Sequence, residues 1–467
     1  HGILPARDYL AAASSQLGTI RYWVLPTLCW FGSGNFALHL LCVGGVVCGV
    51  LVITGVLRAP ALVGAWIGYL SLVTVGQDFL RFQWDSLLLE AGFVAILLAP
   101  WQLRARFSAE HFRPSRAVLW LGRWLLFRLM FSSAVVKLAS GDPSWHALTA
   151  LDYHYFTQPL PPWTAWYFHL LPQWFQELSV LFMFAVEGLA PFLIFGPRRI
   201  RFGAAGAIAS LQVLIMITGN YGFFNLLTLA LCVLLLDDGF LDGIWRRIPR
   251  RLPAPLEGRA TSAAAARSAG GSRWFRRILA GAVFLMSLVP MARTLQLPTA
   301  WLGPIEDACR LSSPLQLVNP YGLFAVMTTD RPEIILEGSS DGEHWKPYEF
   351  RYKPGKLSRR PPFVIAHMPR LDWQMWFAAL GNYRQNRWFL AFCQRLLEGS
   401  PDVAALLAED PFAQGPPKYL RARVFQYQFT TPAQRRQNHA WWTRTLRGPY
   451  IPTLALKDGR LEALPQR

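Results

Sequence analysis

Asp78, Arg81 and Asp85 share one short stretch, residues 76–90, with Phe79, Phe82 and Trp84 packed between them. Groups of these types have two possible uses. Gathered with Lys137 and His154 in one pocket, they would form an acid/base site. The carboxylates and the histidine (itself beside Asp152) would move protons, and Arg81 and Lys137 would hold developing negative charge. Paired with their neighbours, the same groups would be a polar fastening without chemistry. No G-x-S-x-G, H-E-x-x-H, Walker A or G-x-G-x-x-G in a strand–turn–helix context is present to favour catalysis. We therefore expect Asp78, Arg81 and Asp85 to fasten a helical bundle to whatever lies above it. The acid/base set Asp78, Arg81, Asp85, Lys137 and His154 is the alternative. The six cysteines include no C-x-x-C and no Cys/His ligand spacing, so neither a metal nor a cofactor is expected.

The elements that hold these residues lie in a membrane. Of 467 residues, 53% are hydrophobic and only 16% are charged, against about 25% charged in a soluble domain. Long apolar runs predict an α-helical bundle of about eight spans, at 36–57, 61–75, 87–101, 117–139, 178–196, 202–218, 222–236 and 278–297. The chain opens on His1 rather than Met, so a preceding segment is expected to have been removed. The net charge of +18 does not imply nucleic acid. Arg58, then Arg104, Arg106, Arg113 and Arg116, then Arg198, Arg199 and Arg201, then the arginines of 246–277 all fall in loops on one side. The 140–177 loop, by contrast, has no Lys or Arg. By the positive-inside rule the Arg-rich loops are cytoplasmic, which places residues 76–90, the 140–177 loop and everything after 298 on the opposite face.

The expected organisation is an interfacial segment (1–35), a polytopic membrane domain (36–236), an Arg-rich cytoplasmic linker (237–277), a last transmembrane helix (278–297) and a non-cytoplasmic C-terminal domain (298–467). That domain reads as mixed α/β with a β-sandwich-like sheet. Strands are expected at 333–338, 345–352 and 420–429, and helices at 371–380, 384–398 and 401–409. Trp373 and Trp376 stand three apart, hence on one helix face. Together with Tyr321, Phe324 and Arg370 they form a set expected to grip an apolar or protein partner, although core packing also accounts for them. Cys309 and Cys393 could form a disulfide if this domain meets an oxidising compartment. Trp163, Trp166, Tyr167 and Phe168 read as an interfacial aromatic belt. Within the spans, His39, Glu90, Arg123, Arg128, Lys137 and Glu187 are ionisable groups in an expensive place. Pairing of Arg128 or Arg123 with Glu90 or Glu187 is expected, and snorkelling to the cytoplasmic face is the reading for Arg123.

Several ordered blocks of this chain resemble the lipase maturation factor family. They are residues 76–90, the run Phe127-Arg128-Leu129-Met130-Phe131 through Lys137-Leu138, and Leu148-Thr149-Ala150-Leu151-Asp152-Tyr153-His154 with Thr157-Gln158-Pro159-Leu160-Pro161. Asn319-Pro320-Tyr321-Gly322-Leu323-Phe324, residues 336–342 and residues 369–381 continue the series. The resemblance implies a polytopic membrane protein whose C-terminal domain binds a secreted client, a lipase in the animal members, in the endoplasmic reticulum. It implies a folding or maturation factor rather than a catalyst, with membrane lipids as further partners and no nucleic acid. The Arg/Ala-rich loop and the lack of Asn-x-Ser/Thr sites look bacterial, and would place the domain in the periplasm of an inner-membrane protein. The membrane part also resembles, more distantly, the helical domain of the vitamin K-dependent carboxylase. That likeness sustains the alternative of an integral membrane enzyme acting on a lipid-like or protein substrate.

Overall fold

The structure, a computed structural model, describes residues 2–101, 114–245 and 264–464. Arg104, Arg106, Arg113 and the arginines at 246–259 lie outside the described residues. A short surface helix, α1 (Ala6–Leu17), leads to the apolar helices α2 (Asn35–Ile53), α3 (Arg58–Val75) and α4 (Gln83–Leu98). The long helix α5 (Arg116–Ala139) follows. Two short helices, α6 (Ala150–Thr157) and α7 (Trp163–His169), fill the loop after it. Then come α8 (Gln173–Leu193), α9 (Arg198–Thr218), α10 (Phe224–Val233) and α11 (Ala264–Thr294, apolar from Trp274 onward). Among the described residues six of these are long and apolar enough to cross a membrane: α2, α3, α5, α8, α9 and the apolar part of α11.

Their apolarity runs nearly all round, as lipid requires of a span that has few protein neighbours. None of α2 is buried, and it leans mainly on α3, whereas 61% of the most apolar stretch of α5 is buried. Helix α5 is therefore the axis of the bundle. Leu125, Leu126 and Leu129 meet Leu87 and Val94 of α4, Ile208 of α9, Leu231 of α10 and Val283 of α11 in one core.

The C-terminal domain is built on a five-stranded antiparallel sheet in the order β2-β1-β5-β6-β7, with β3 and β4 as a separate antiparallel ribbon. The strands are β1 (Pro332–Ser339), β2 (Lys346–Pro347), β3 (Glu349–Phe350), β4 (Leu407–Glu409), β5 (Tyr419–Phe429), β6 (Trp442–Lys457) and β7 (Arg460–Ala463). The period-two alternation of β1 and β5 assigns their two faces. Ile334, Leu336, Leu420 and Ala422 point to a core made with α12 (Arg370–Ala379) and α13 (Arg387–Leu397), around Met375, Phe389 and Phe392. Ile335, Phe425, Tyr427 and Phe429 point the other way. There they pack on Tyr155 and Phe156 of α6 and Trp166 of α7. The sheet thus lies between its own helices and the extramembrane helices of the bundle.

The strand expected at 345–352 is instead two short pieces, β2 and β3, on different sheets, and the helix expected at 401–409 stops at Ala404 before β4. The disulfide expected between Cys309 and Cys393 is not formed. Both thiols are free: Cys393 is enclosed in the core of the C-terminal domain, and Cys309 packs beside Val289 and Leu302 at the outer end of α11.

Candidate functional site

Asp85 occupies the first turn of α4 and is 1% exposed. Its Oδ2 accepts the Phe82 N–H at 3.1 Å, which closes the start of the helix and puts a negative charge at the positive end of its dipole. Both carboxylate oxygens receive the Arg370 fork, Nη1 to Oδ2 and Nη2 to Oδ1, each at 2.7 Å. The Tyr69 hydroxyl of α3 donates to Oδ1 at 2.5 Å. Arg370 Nη1 also donates to the Phe79 carbonyl at 3.2 Å, and one turn along α12 Gln374 donates to the Asp78 carbonyl. Helices α3 and α4 and the C-terminal domain are therefore joined through one bidentate pair, the strongest geometry such a pair can take.

Three further fastenings flank it. Glu90, one turn below Asp85, is paired with Arg128 of α5. It also accepts the Tyr321 hydroxyl at 2.7 Å and the Asn319 N–H at 3.0 Å, so the Asn319-Pro320-Tyr321-Gly322 segment is plugged into the bundle. Gln83 exchanges two hydrogen bonds of 3.1 Å with the backbone of Gly322. Glycine is required there, because φ is +151° and a Cβ would stand 2.7 Å from Val136 Cγ1. Arg331, fully buried, donates to the carbonyls of Phe156 (2.7 Å), Gln158 (2.5 Å) and Pro159 (3.1 Å) at the end of α6, and to Glu333 at 2.7 Å. Finally, Asn220, in the turn between α9 and α10, donates to the Pro362 carbonyl at 2.9 Å and accepts the Val364 N–H at 2.8 Å.

Beneath this junction lies a cavity of about 560 Å³, lined by residues of α5, α6, α8, α9 and α10. Lys137 and Glu187 form an ion pair of 2.7 Å on its wall. His154 Nε2 is 3.1 Å from the Tyr221 hydroxyl, and burial holds its pKa down at about 4. A model of the lipase maturation factor transmembrane domain matches residues 1–243, and a model of the lipase maturation factor C-terminal domain matches residues 317–452. The chain belongs to the lipase maturation factor family. It is 38% identical to mouse lipase maturation factor 2 over the whole of this chain and 80% of that protein. The human lipase maturation factor 2 is also 38% identical, over 99% of this chain and 79% of its own length. Bovine lipase maturation factor 1 is 33% identical over 98% and 84%. No solved structure matches.

In this family member the five candidate acid/base groups do not meet. Lys137 and His154 line the cavity, and Asp85 is consumed by Arg370 above it. Asp78 and Arg81 are exposed, and among the described residues neither side chain has an ion-pair partner; Asp78 contributes through its carbonyl. The five residues expected to grip a client lie inside the junction. Tyr321, Trp373 and Trp376 are buried, Trp376 donating to the Thr157 carbonyl at 2.8 Å, and Phe324 and Arg370 are partly covered. Of the other ionisable groups in the spans, Arg123 donates to the Leu234 carbonyl at 3.2 Å, and His39 is exposed on α2. Sequence reasoning passed over Tyr69, Gln83, Asn220 and Arg331. The available signals were a tyrosine inside a span, an Asn-Tyr-Gly turn between two apolar runs and a lone arginine before a strand.

Proposed function

We propose that this chain is a membrane-embedded maturation factor that helps secreted lipases reach their active fold, with its C-terminal domain as the client-facing part. The observation that carries this reading is the match to both domains of the family along the whole chain, at up to 38% identity. The fastenings at Asp85, Glu90, Arg331 and Asn220 support it, because they hold the domain at the membrane surface in one orientation rather than on a free tether.

Eight crossings fit the contacts best. The turn before α4 and the loop holding α6 and α7 both pack on the C-terminal domain, so α4 and α5 form a pair of crossings between them. Asn220 touches the same domain, so α8 and α9 form the next pair, and α10 with α11 closes the set. The domain and Ile3 at the start of the chain share a core, which supports placing both on the non-cytoplasmic face. That face is the periplasm in a bacterial inner membrane and the lumen in the endoplasmic reticulum. Exposed Tyr22, Trp23 and Phe31 support an interfacial seat for residues 1–35, and lipids are the surrounding partner. Phe350 and Leu407 of the β-ribbon share a core with Leu336 and Leu420 of the main sheet, which supports a sandwich-like relation between the sheets.

Association with a client tests the proposal. The tagged full chain is crosslinked in membranes of cells making a secreted lipase and then purified. Recovery of newly made lipase, with crosslinks mapped to residues 317–464, is expected. Recovery equal to that of an unrelated secreted enzyme would refute the reading.

A further inference from the structure

Helices α8 and α9 pack together mainly through Ala185–Leu193, the inner part of α8. Above that contact they part. A π turn at Ala185–Leu189 interrupts α8 at the branching point and carries Glu187 onto Lys137; such turns recur at functional sites. The space between the parted halves is the 560 Å³ cavity, within the roughly 300–1,000 Å³ range of small-molecule sites. Leu178 and Phe182 of α8 and Leu214 of α9 line it and are themselves exposed. On membrane-spanning helices that exposure faces hydrocarbon, so the mouth opens sideways into the bilayer.

The inner end is polar but carries no spare charge. Lys137 and Glu187 neutralise each other, and the half-buried His154 is uncharged near neutral pH. Asn225, 2% exposed, donates from Nδ2 to Gln212 Oε1 at 2.8 Å, while its Oδ1 is buried without a partner among the described residues. A buried acceptor left unpaired is costly, and native structures seldom keep one. At the blind end of an apolar cavity open to lipid, it calls for a donor that arrives attached to hydrocarbon.

We propose that this cavity binds an uncharged, hydroxyl-bearing membrane lipid, its alkyl chain entering between α8 and α9 and its hydroxyl donating to Asn225 Oδ1. The site goes beyond the maturation reading and is assayed on the purified chain without any lipase, so either can fail alone. The probe is a monoacylglycerol with a diazirine in its alkyl chain, added to the full-length protein in phosphatidylcholine nanodiscs, with adducts mapped by peptide mass spectrometry. Adducts are expected on residues 175–183 and 211–218. Excess unlabelled monoacylglycerol should remove them, and a fatty acid or lysophosphatidylcholine should compete several-fold less well. Leu214→Trp, on the lipid face, should fill the mouth and lower labelling several-fold while thermal stability is kept. Asn225→Leu should weaken competition several-fold. Labelling spread equally onto α2 would show annular lipid only and overturn the proposal. So would unchanged labelling in Leu214→Trp, or equal competition by the charged lipids.

Discussion

Replacing Arg370 should loosen the C-terminal domain from the bundle, and the size of the effect follows from Asp85. Removing one partner of a buried ion pair costs about 3–5 kcal/mol, because the other charge is stranded. Asp85 is 1% exposed but would keep the Tyr69 hydroxyl and the Phe82 N–H, which puts Arg370→Ala at the low end, about 3 kcal/mol. Arg370→Lys keeps the charge and loses the fork, for a loss of about 1–2 kcal/mol. Asp85→Leu with Arg370→Met removes both charges and should recover to within about 1 kcal/mol of the native chain. The assay is reversible unfolding in mixed micelles, read as a double-mutant cycle, with protease cleavage in 295–330 as a second probe of detachment. Arg370→Ala and Arg370→Lys both within about 0.5 kcal/mol of wild type, with no added cleavage, would refute the claim that this pair holds the junction.

Four other outcomes are expected. His154 has its pKa lowered from 6.5 to about 4 by burial, so the unfolded chain binds more protons than the folded one between those values; stability is therefore present above about pH 6.5 and falls by roughly 3 kcal/mol toward pH 4. A pH melting series should show that loss, and His154→Gln should flatten it. Glu90→Gln strands Arg128, two of whose nitrogens have no partner among the described residues, and should cost about 3–5 kcal/mol in micelle unfolding, whereas Glu90→Gln with Arg128→Met should be milder. Gly322→Ala forces a side chain into a φ of +151° against Val136 and should lower stability by about 1–3 kcal/mol in the same assay. Mass spectrometry after denaturing alkylation should find both Cys309 and Cys393 modified without prior reduction, and a reductant should leave the melting midpoint unmoved.

The six long apolar helices were legible because lipid imposes one rule on them, an unbroken apolar run long enough to cross. The expected side of the domain comes from the arginines. Asp85 and Arg370 were each singled out, but for different purposes, since pairing across 285 residues leaves no local pattern. Tyr321, Trp373 and Trp376 carry the residue types of a recognition surface, and those same types serve a buried interdomain contact. Strand β6 was missed because Arg444, Arg447, Gly448, Pro449 and Pro452 break its alternation, and its pairing with β5 shifts register at Pro449 and Ile451. The free Cys309 and Cys393 show the same limit: residue type suggested a bond, and only placement in two separate cores decides against it.

As a maturation factor, this chain should raise the yield of active lipase as one membrane-anchored unit. The most direct measurement is the specific activity of a secreted lipase in cells devoid of lipase maturation factors, with and without the full-length chain. Higher activity per lipase molecule is expected when the chain is present, at unchanged lipase transcript. Equal specific activity, with the chain in the membrane at normal abundance, would contradict it.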